Sequence, residues 1–140
     1  MIDIKGDEDA IVAQIKKYVT EYQVKPFPDV PPADYNITDS RGEILVMFGG
    51  IRIPEQSPVL DKQLQTRIYR WTVAVYSKNR RTHQGSYDIL EKIDEALVGF
   101  NLRYHYMSFV DSTFVGYNTG KSVWVYRSTY EVMDQTIKGE

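Results

Sequence analysis

A helical repeat of apolar positions marks the first part of the chain. Behind the acidic residues 7–9, six side chains follow the spacing of one helical face: Ile11, Val12, Ile15, Tyr18, Val19 and Tyr22. Asp7 is a candidate N-cap, and Lys16 and Lys17 lie later, which is the charge order that the helix dipole favours. The pattern predicts a helix from about Asp7 to Tyr22.

A proline-rich segment follows this helix at residues 25–34. Its four prolines are Pro26, Pro28, Pro31 and Pro32. Their rings remove backbone donors and fix φ, so neither a helix nor a central strand is expected there. We expect an extended surface arm that leads to the first strand.

Two β patterns come next. Residues 43–53 form an apolar run that is rich in branched side chains and too short for a membrane helix, which predicts a strand buried on both faces with a bulge or bend at Gly49 and Gly50. Residues 64–77 alternate instead. One face carries Tyr69, Trp71, Val73 and Val75, and the other carries Ile68, Arg70, Thr72, Ala74 and Tyr76. About ten loop residues, beginning near Pro54, join the two strands into a wide hairpin.

A polar and basic loop then leads into a second helical pattern that begins at Ser86. Its inward positions are predicted to be Tyr87, Ile89, Leu90, Ile93, Ala96 and Leu97. Gly99 is placed to end the helix, because glycine adopts the left-handed conformation that follows many helix C-termini. The acids of this helix lie opposite the apolar face, where a solvated surface is expected.

The last third of the chain is rich in β-forming and aromatic residues. Strands are predicted near 102–110, 113–117 and 122–133, with a turn at 118–121 between the last two. The order α, β, β, α, β, β, with one further short strand in the last third, predicts a single two-layer α+β domain over residues 1–140, with an antiparallel or mixed sheet packed against two main helices. The last strand has apolar groups on both faces, with Val123 and Val125 on one and Trp124, Tyr126 and Tyr130 on the other. The second sheet face is therefore expected to meet another subunit.

Composition narrows the function classes. The chain has 140 residues, a net charge of −2 and no cysteine. One domain is therefore expected, disulfides and thiolate metal sites are excluded, and the general basicity of a dedicated nucleic-acid binder is missing. No apolar run reaches the length of a membrane span, and the first residues lack the pattern of a signal peptide, so we expect a soluble protein that is not exported.

Candidate catalytic chemistry is sparse. Residues 116–122 end like a phosphate-binding loop, but three residues instead of four separate the glycines and a strand pattern follows, so a hairpin turn is expected. Only His83 and His105 could act as neutral-pH bases, and no serine has a nucleophile setting. We therefore expect no enzymatic activity, no cofactor and no metal site.

Two loops and one strand are the candidate interaction sites. Lys78, Arg80, Arg81 and His83 form the one local basic cluster, which can meet phosphate or an acidic partner or simply be solvated. The remaining candidates are Pro54, Glu55 and Pro58 in the hairpin loop, together with Trp124 and Tyr126. Loops supply partner contacts more readily than a buried sheet does.

The order of these segments resembles a known family. The shared segments are an acidic-start helix at 8–15, a strand running into glycines at 44–50, an arginine and aromatic strand at 67–76, a loop-helix segment at 85–99 and a closing strand at 123–127. Together they resemble the small tail-terminator proteins of Mu-like and other long-tailed phages.

The resemblance implies a structural virion protein. Such a protein forms a ring, typically of six copies, that caps the tail tube, stops its polymerisation and joins the tail to the neck or head. The implied partners are other copies of the chain, the tube protein, a neck or head-completion protein and, in a contractile tail, the sheath. DNA would pass through the lumen without sequence-specific binding, and no membrane is involved. The implied location is the neck-proximal end of the tail, after assembly in the host cytoplasm.

Two alternatives remain at this stage. Another neck, head-joining or tail-tube component would show the same small β-rich subunit and differ only in its partner. A small ligand-binding α+β domain or enzyme would instead contain a pocket with a histidine or acid of perturbed pKa.

Overall fold

The architecture is a mixed sheet with two helices on one face. The computed structural model describes residues 3–29, 41–54, 64–78, 85–102, 105–119 and 122–137. Its elements are α1 (Ile4–Tyr18), β1 (Gln23–Pro26), β2 (Gly42–Arg52), β3 (Leu64–Ser77), α2 (Ser86–Leu97), β4 (Asn101–Leu102), β5 (His105–Tyr106), β6 (Ser108–Asn118) and β7 (Val123–Ile137).

Five of these strands form one sheet in the order β1-β2-β3-β7-β6. Only β1 and β2 run parallel, and every other neighbouring pair is antiparallel. The short strands β4 and β5 pair with each other in a separate small hairpin. The predicted α+β class, with a mixed sheet against two helices, is confirmed.

Helix α1 begins and ends earlier than predicted. The N-cap is Asp3, whose carboxylate accepts a hydrogen bond of 3.1 Å from the backbone N–H of Gly6, while Asp7 lies buried within the helix. The predicted cap at Asp7 is therefore wrong, because an equally suitable capping residue lies one turn earlier. At the other end, Val19 has extended backbone, and the helix stops before Tyr22.

Tyr22 contributes to the core from outside the helix. Its side chain is buried, and its hydroxyl shares a hydrogen bond of 2.6 Å with Ser77 at the end of β3. Strand β1 follows, and its last residue is Pro26. The predicted extended arm therefore starts as an edge strand, a position that tolerates proline because one side of its backbone needs no ladder partner.

The hairpin of β2 and β3 follows the prediction closely. The predicted alternation of β3 is observed, and its face with Tyr69, Trp71, Val73 and Val75 is buried. A register shift between Phe48 and Gly50 confirms the predicted irregularity at the glycines. Strand β2 is buried on both faces only over residues 42–46, since its later residues are mostly exposed. Full burial of this strand was a wrong expectation, because α1 and α2 cover only part of the sheet.

Helix α2 packs beside α1 on the inner face of the sheet. Its buried side chains include Ile89, Ile93 and Leu97. Tyr87 was predicted to point inward, but 43% of it is exposed because it lies at the margin of that face, against Tyr126 of β7. Gly99 has a φ of +79°, which confirms its role at the helix end.

Within the parts of the chain that the structure describes, no helix has the length and apolar character needed to cross a membrane.

The long strand β6 replaces two predicted strands. Residues 108–118 form one strand whose register shifts twice along β7, between Phe109 and Asp111 and between Phe114 and Gly116. These bulges interrupt the alternation that the sequence prediction took as a gap between strands. Strand β7 also runs to Ile137, beyond its predicted end, and its position after the turn agrees with a hairpin at that site.

Gly99→Ala tests the left-handed helix end. A Cβ at Gly99 or at Gly116 meets open space, but only Gly99 has a positive φ. We expect Gly99→Ala to lower the free energy of unfolding by about 1 kcal/mol, because an L side chain strains this conformation. Gly116→Ala is the matched control and should cause no loss in denaturant titrations. Equal effects of the two changes would contradict the assignment.

Candidate assembly surfaces

Strand β6 presents an unusual edge. It is the last strand of the sheet, and its apolar side chains Phe109, Val110, Phe114, Val115 and Tyr117 are each between 39% and 56% exposed. We call these five residues the β6 surface. A long apolar edge strand has backbone donors and acceptors ready to pair with another chain, and monomeric proteins normally protect such edges with lysine, proline or a covering loop. This strand therefore has the properties of a contact surface.

Aromatic rings extend the β6 surface towards α2. The ring centroids of Tyr117 and Trp124 lie 4.4 Å apart, those of Phe114 and Tyr126 lie 5.2 Å apart, and Tyr126 continues the series to Tyr87 at 6.2 Å. Phe114 also lies 6.1 Å from Trp124, so the five rings are continuous. Partly exposed aromatic clusters of this kind are typical anchors of protein interfaces.

An arginine pair lies on the outer face of the sheet, away from the helices. Arg52 donates from Nε and Nη2 to the two carboxylate oxygens of Glu131, each at 3.1 Å. Arg70 donates from Nη2 to Glu131 Oε2 at 2.9 Å and from Nε at 3.3 Å. Burial raises the pKa of Glu131, but the hydrogen bonds from both guanidinium groups outweigh burial and hold this pKa below its usual value.

The glycine bulge of β2 shapes the surface beside this pair. Gly50 has a φ of +110° and lies opposite Arg70 in the sheet register. A depression of about 120 Å³ is lined there by Gly49, Gly50, Ile51, Arg52 and Arg70. The bulge thus leaves both arginines accessible from solvent.

A third surface is the exposed side of α2. Tyr87, Glu91 and Glu95 are exposed there, and Val98 follows directly after the helix. We call these four residues the α2 stripe. The neighbouring Lys92 is engaged elsewhere, since it forms ion pairs with Glu21 and with Asp88. The hydrogen bond from Lys92 lowers the pKa of Glu21.

The predicted interaction residues fall in three groups. Trp124 and Tyr126 lie in the aromatic cluster beside β6. Lys78 follows β3, where its backbone N–H donates to the carbonyl of Arg41, and Pro54 is half-buried just after β2. Arg80, Arg81, His83, Glu55 and Pro58 lie outside the described residues, so their proposed contacts stay predictions.

Sequence reasoning missed the arginine pair. Arg52, Arg70 and Glu131 are up to 79 positions apart in the chain, and only the register of β2, β3 and β7 brings them together. A usable signal was present, because the alternation of β3 places Arg70 on the face opposite the core. A charged residue in the middle of such a strand needs a partner or solvent.

Two further pairs of titratable side chains contact each other. His105 Nε2 lies 3.0 Å from Asp134 Oδ1, and the Tyr130 hydroxyl donates to Asp94 Oδ1 at 3.3 Å. Burial of the ring raises the pKa of Tyr130. Among the residues that the structure describes, no three metal-binding side chains converge on one point.

These features define an α+β domain with one sheet face covered by helices, an opposite face that is accessible around the arginine pair, and an apolar edge strand. Comparison with protein families matches residues 11–138 to the family described as Gp37 protein. The chain therefore belongs to the Gp37 protein family. A comparison with curated proteins finds no match.

A solved structure shares the fold. It is the sheath/tube terminator of an extracellular contractile injection system, PVC, determined by cryo-EM in the extended state. The match has a TM-score of 0.55 and 12% sequence identity, and it covers 100% of this chain and 61% of the other. The resemblance to tail terminators that the sequence indicated is confirmed at the level of the fold.

Glu131→Gln tests the arginine pair through its pH dependence. A carboxylate with a lowered pKa stabilises the fold above the pKa of the unfolded chain, and this contribution disappears as the pH falls through the folded-state pKa. We expect the substitution to lower the free energy of unfolding by about 1 kcal/mol at pH 7, a value limited by the partial exposure of both arginines. The difference from the parent should shrink between about pH 5 and pH 3.

The control for this measurement is Asp9→Asn, which removes an exposed carboxylate on α1. It should change the free energy of unfolding much less at pH 7. A destabilisation by Glu131→Gln that is the same at pH 7 and pH 3 would contradict the role assigned to its charge.

Proposed function

We propose that this protein is a tail terminator, a structural subunit that assembles into a ring, of six copies, at the neck-proximal end of a tail tube. In this role it stops tube polymerisation and provides the surface to which the neck or head is joined. The observation that carries the proposal is the β6 surface, an unprotected apolar edge, in a chain whose fold is that of a sheath/tube terminator. No catalytic step is part of the role.

Ring formation makes a physical demand on the subunit. Each copy must present one patch to the neighbour on one side and a different patch to the neighbour on the other side. The subunit must also contact the tube below and the neck above, so much of its surface is covered after assembly. Exposed apolar and aromatic side chains on β6, the outer sheet face and α2 are compatible with several such contacts.

The partners follow from this role. They are other copies of the chain, the tube protein and a neck or head-completion protein, and the fold shared with a terminator of both sheath and tube favours a sheath partner as well. The loops at Lys78–His83 and Pro54–Pro58 are proposed as further contact points with these proteins. DNA passes through the lumen without sequence-specific binding, and a net charge of −2 is compatible with that passage.

Tube length tests the function. Tube protein and this protein are produced together, and the tubes are measured by negative-stain electron microscopy. We expect tubes of uniform length with a ring at one end, and overlong tubes without a ring when the protein is left out. Uniform tubes in its absence would contradict a terminator role, and a ring at the head vertex instead of the tube end would favour a neck component.

Val115→Asp tests the β6 surface in the same assay. Val115 is 56% exposed, so the substitution should leave the fold intact, but it places a charge that must be desolvated when a partner covers the edge. We expect at least a tenfold drop in capped tubes. Ile4→Asp is the matched control, because it makes the same apolar-to-acid change at an exposed position on α1 and should preserve capping.

A further inference from the structure

The arginine pair and the α2 stripe lie on opposite sides of the molecule and carry opposite charge. Arg52 and Arg70 are on the outer sheet face, whereas α2 packs on the inner face. The sequence of α2 has four acidic residues and a single lysine, a net charge of −3. Two complementary patches on opposite sides of one chain are what a head-to-tail contact between copies requires.

Glu131 does not use the full donor capacity of the arginine pair. Each guanidinium has five N–H donors, and Arg52 and Arg70 each contact Glu131 only through Nε and Nη2. Their Nη1 groups have no partner in the described parts of the chain, and the side chains are 48% and 42% exposed. Two positive charges facing one carboxylate leave a net attraction for a further carboxylate.

The described residues of the outer face also carry more positive than negative charge. Arg127 is also exposed on it, at the position that pairs with Ala74 of β3. Against the three arginines stand Glu131 and Asp111, since Glu43 at the far end of the face is fully buried and is paired with Lys25.

On the α2 side, the two central acids are available. Glu91 and Glu95 are exposed, lie one helical turn apart, and form no ion pair within the described residues. Their Cβ atoms are therefore about 6 Å apart. Two guanidinium groups that share one carboxylate are also only a few ångströms apart, so the charges match in spacing as well as in sign.

The apolar residues around the charges match too. On the sheet, Met47 lies beside Thr72 and Met133 beside Ile68, two positions about 14 Å apart along β3, with Arg70 between them. On the helix side, Tyr87 and Val98 are about 16 Å apart along the axis and enclose the two acids. Both patches thus have apolar ends and a charged centre.

We propose that the α2 stripe of one copy packs on the outer sheet face of the next copy, with Glu91 and Glu95 bound by Arg52 and Arg70 and with Val98 at the Met133 end of that face. This contact is the repeating interface of the ring, so the inference rests on the proposed function. A second copy is favoured over DNA as the occupant, because exposed methionines beside the arginines suit an apolar protein surface rather than a phosphate backbone. A two-fold contact through either patch alone would bring like charges together.

Cysteine crosslinking tests the geometry, since the natural chain contains no cysteine. Val98→Cys places a thiol at the end of the α2 stripe, and Met133→Cys places one on the outer sheet face. After treatment of assembled rings with a short bismaleimide, the double variant should give a ladder of crosslinked multimers on a denaturing gel. Each single variant should remain monomeric, because identical patches do not meet in a head-to-tail contact.

Two outcomes overturn this interface. Dimers from a single-cysteine variant would indicate a two-fold contact, and intact rings without a ladder would place the contact elsewhere while leaving the terminator function standing. Absence of any ring on assembled tubes would instead remove the proposed function itself.

Charge reversal tests the chemistry independently. Glu91→Lys with Glu95→Lys should weaken self-association at least tenfold by sedimentation, as should Arg52→Glu alone. A mixture of these two variants should associate again, because lysines on one chain face the new glutamate on the other, and the intact acids face the intact arginines. Lys16→Glu with Lys17→Glu on α1 is the control and should associate normally. Failure of the mixture to recover while both parents are folded would refute the charge pairing.

Discussion

The antiparallel pairing of β3 with β7 is the constraint on which the rest of the structure depends. The two strands stay in register from Leu64 opposite Ile137 to Ser77 opposite Trp124. Because side chains alternate along a strand, one register decides which residues of both strands face the helices. Trp71 and Tyr130 meet on the inner face, and Arg70 and Glu131 meet on the outer face. A slip of one residue would bury the arginine and expose the tryptophan.

The two edges of the sheet differ in how readily they can pair with a strand of another molecule. Strand β1 has four residues and ends in Pro26, so it offers little backbone for pairing. Strand β6 has 11 residues, and Asp111 is its one charged residue. The sheet is thus closed to strand addition on one side and open on the other. Such an asymmetry suits a subunit that joins an assembly in a single orientation.

Much of the fold could be predicted because local patterns were strong. The alternation in β3 fixed both of its ends, and the helical spacing from Ser86 to Leu97 together with Gly99 fixed α2. Predictions failed where the local sequence was compatible with two different structures. Asp3 and Asp7 are both suitable caps, and the bulges in β6 imitate the gap between two strands.

The candidate surfaces were harder to predict from the sequence. Trp124 and Tyr126 were found because two aromatic residues at alternate positions of one strand are visible within a single segment. The arginine pair was not found, because it joins residues from three strands whose register no local pattern encodes. Glu91 and Glu95 were correctly placed on a solvated helix face, whereas Asp94 contacts the buried Tyr130 and was wrongly placed there. The relation of Glu91 and Glu95 to the opposite side of the molecule requires the complete sheet order.

The central position of β7 has a consequence for the order of folding during synthesis. Strand β7 is the last of the described strands along the chain, yet it lies between β3 and β6. Until the ribosome has released residues 123–137, β3 has an unpaired inner edge and β6 has no strand to join. An incomplete chain therefore cannot display the β6 surface in its folded form. Edge pairing through β6 is therefore delayed until nearly the whole described domain has been synthesised.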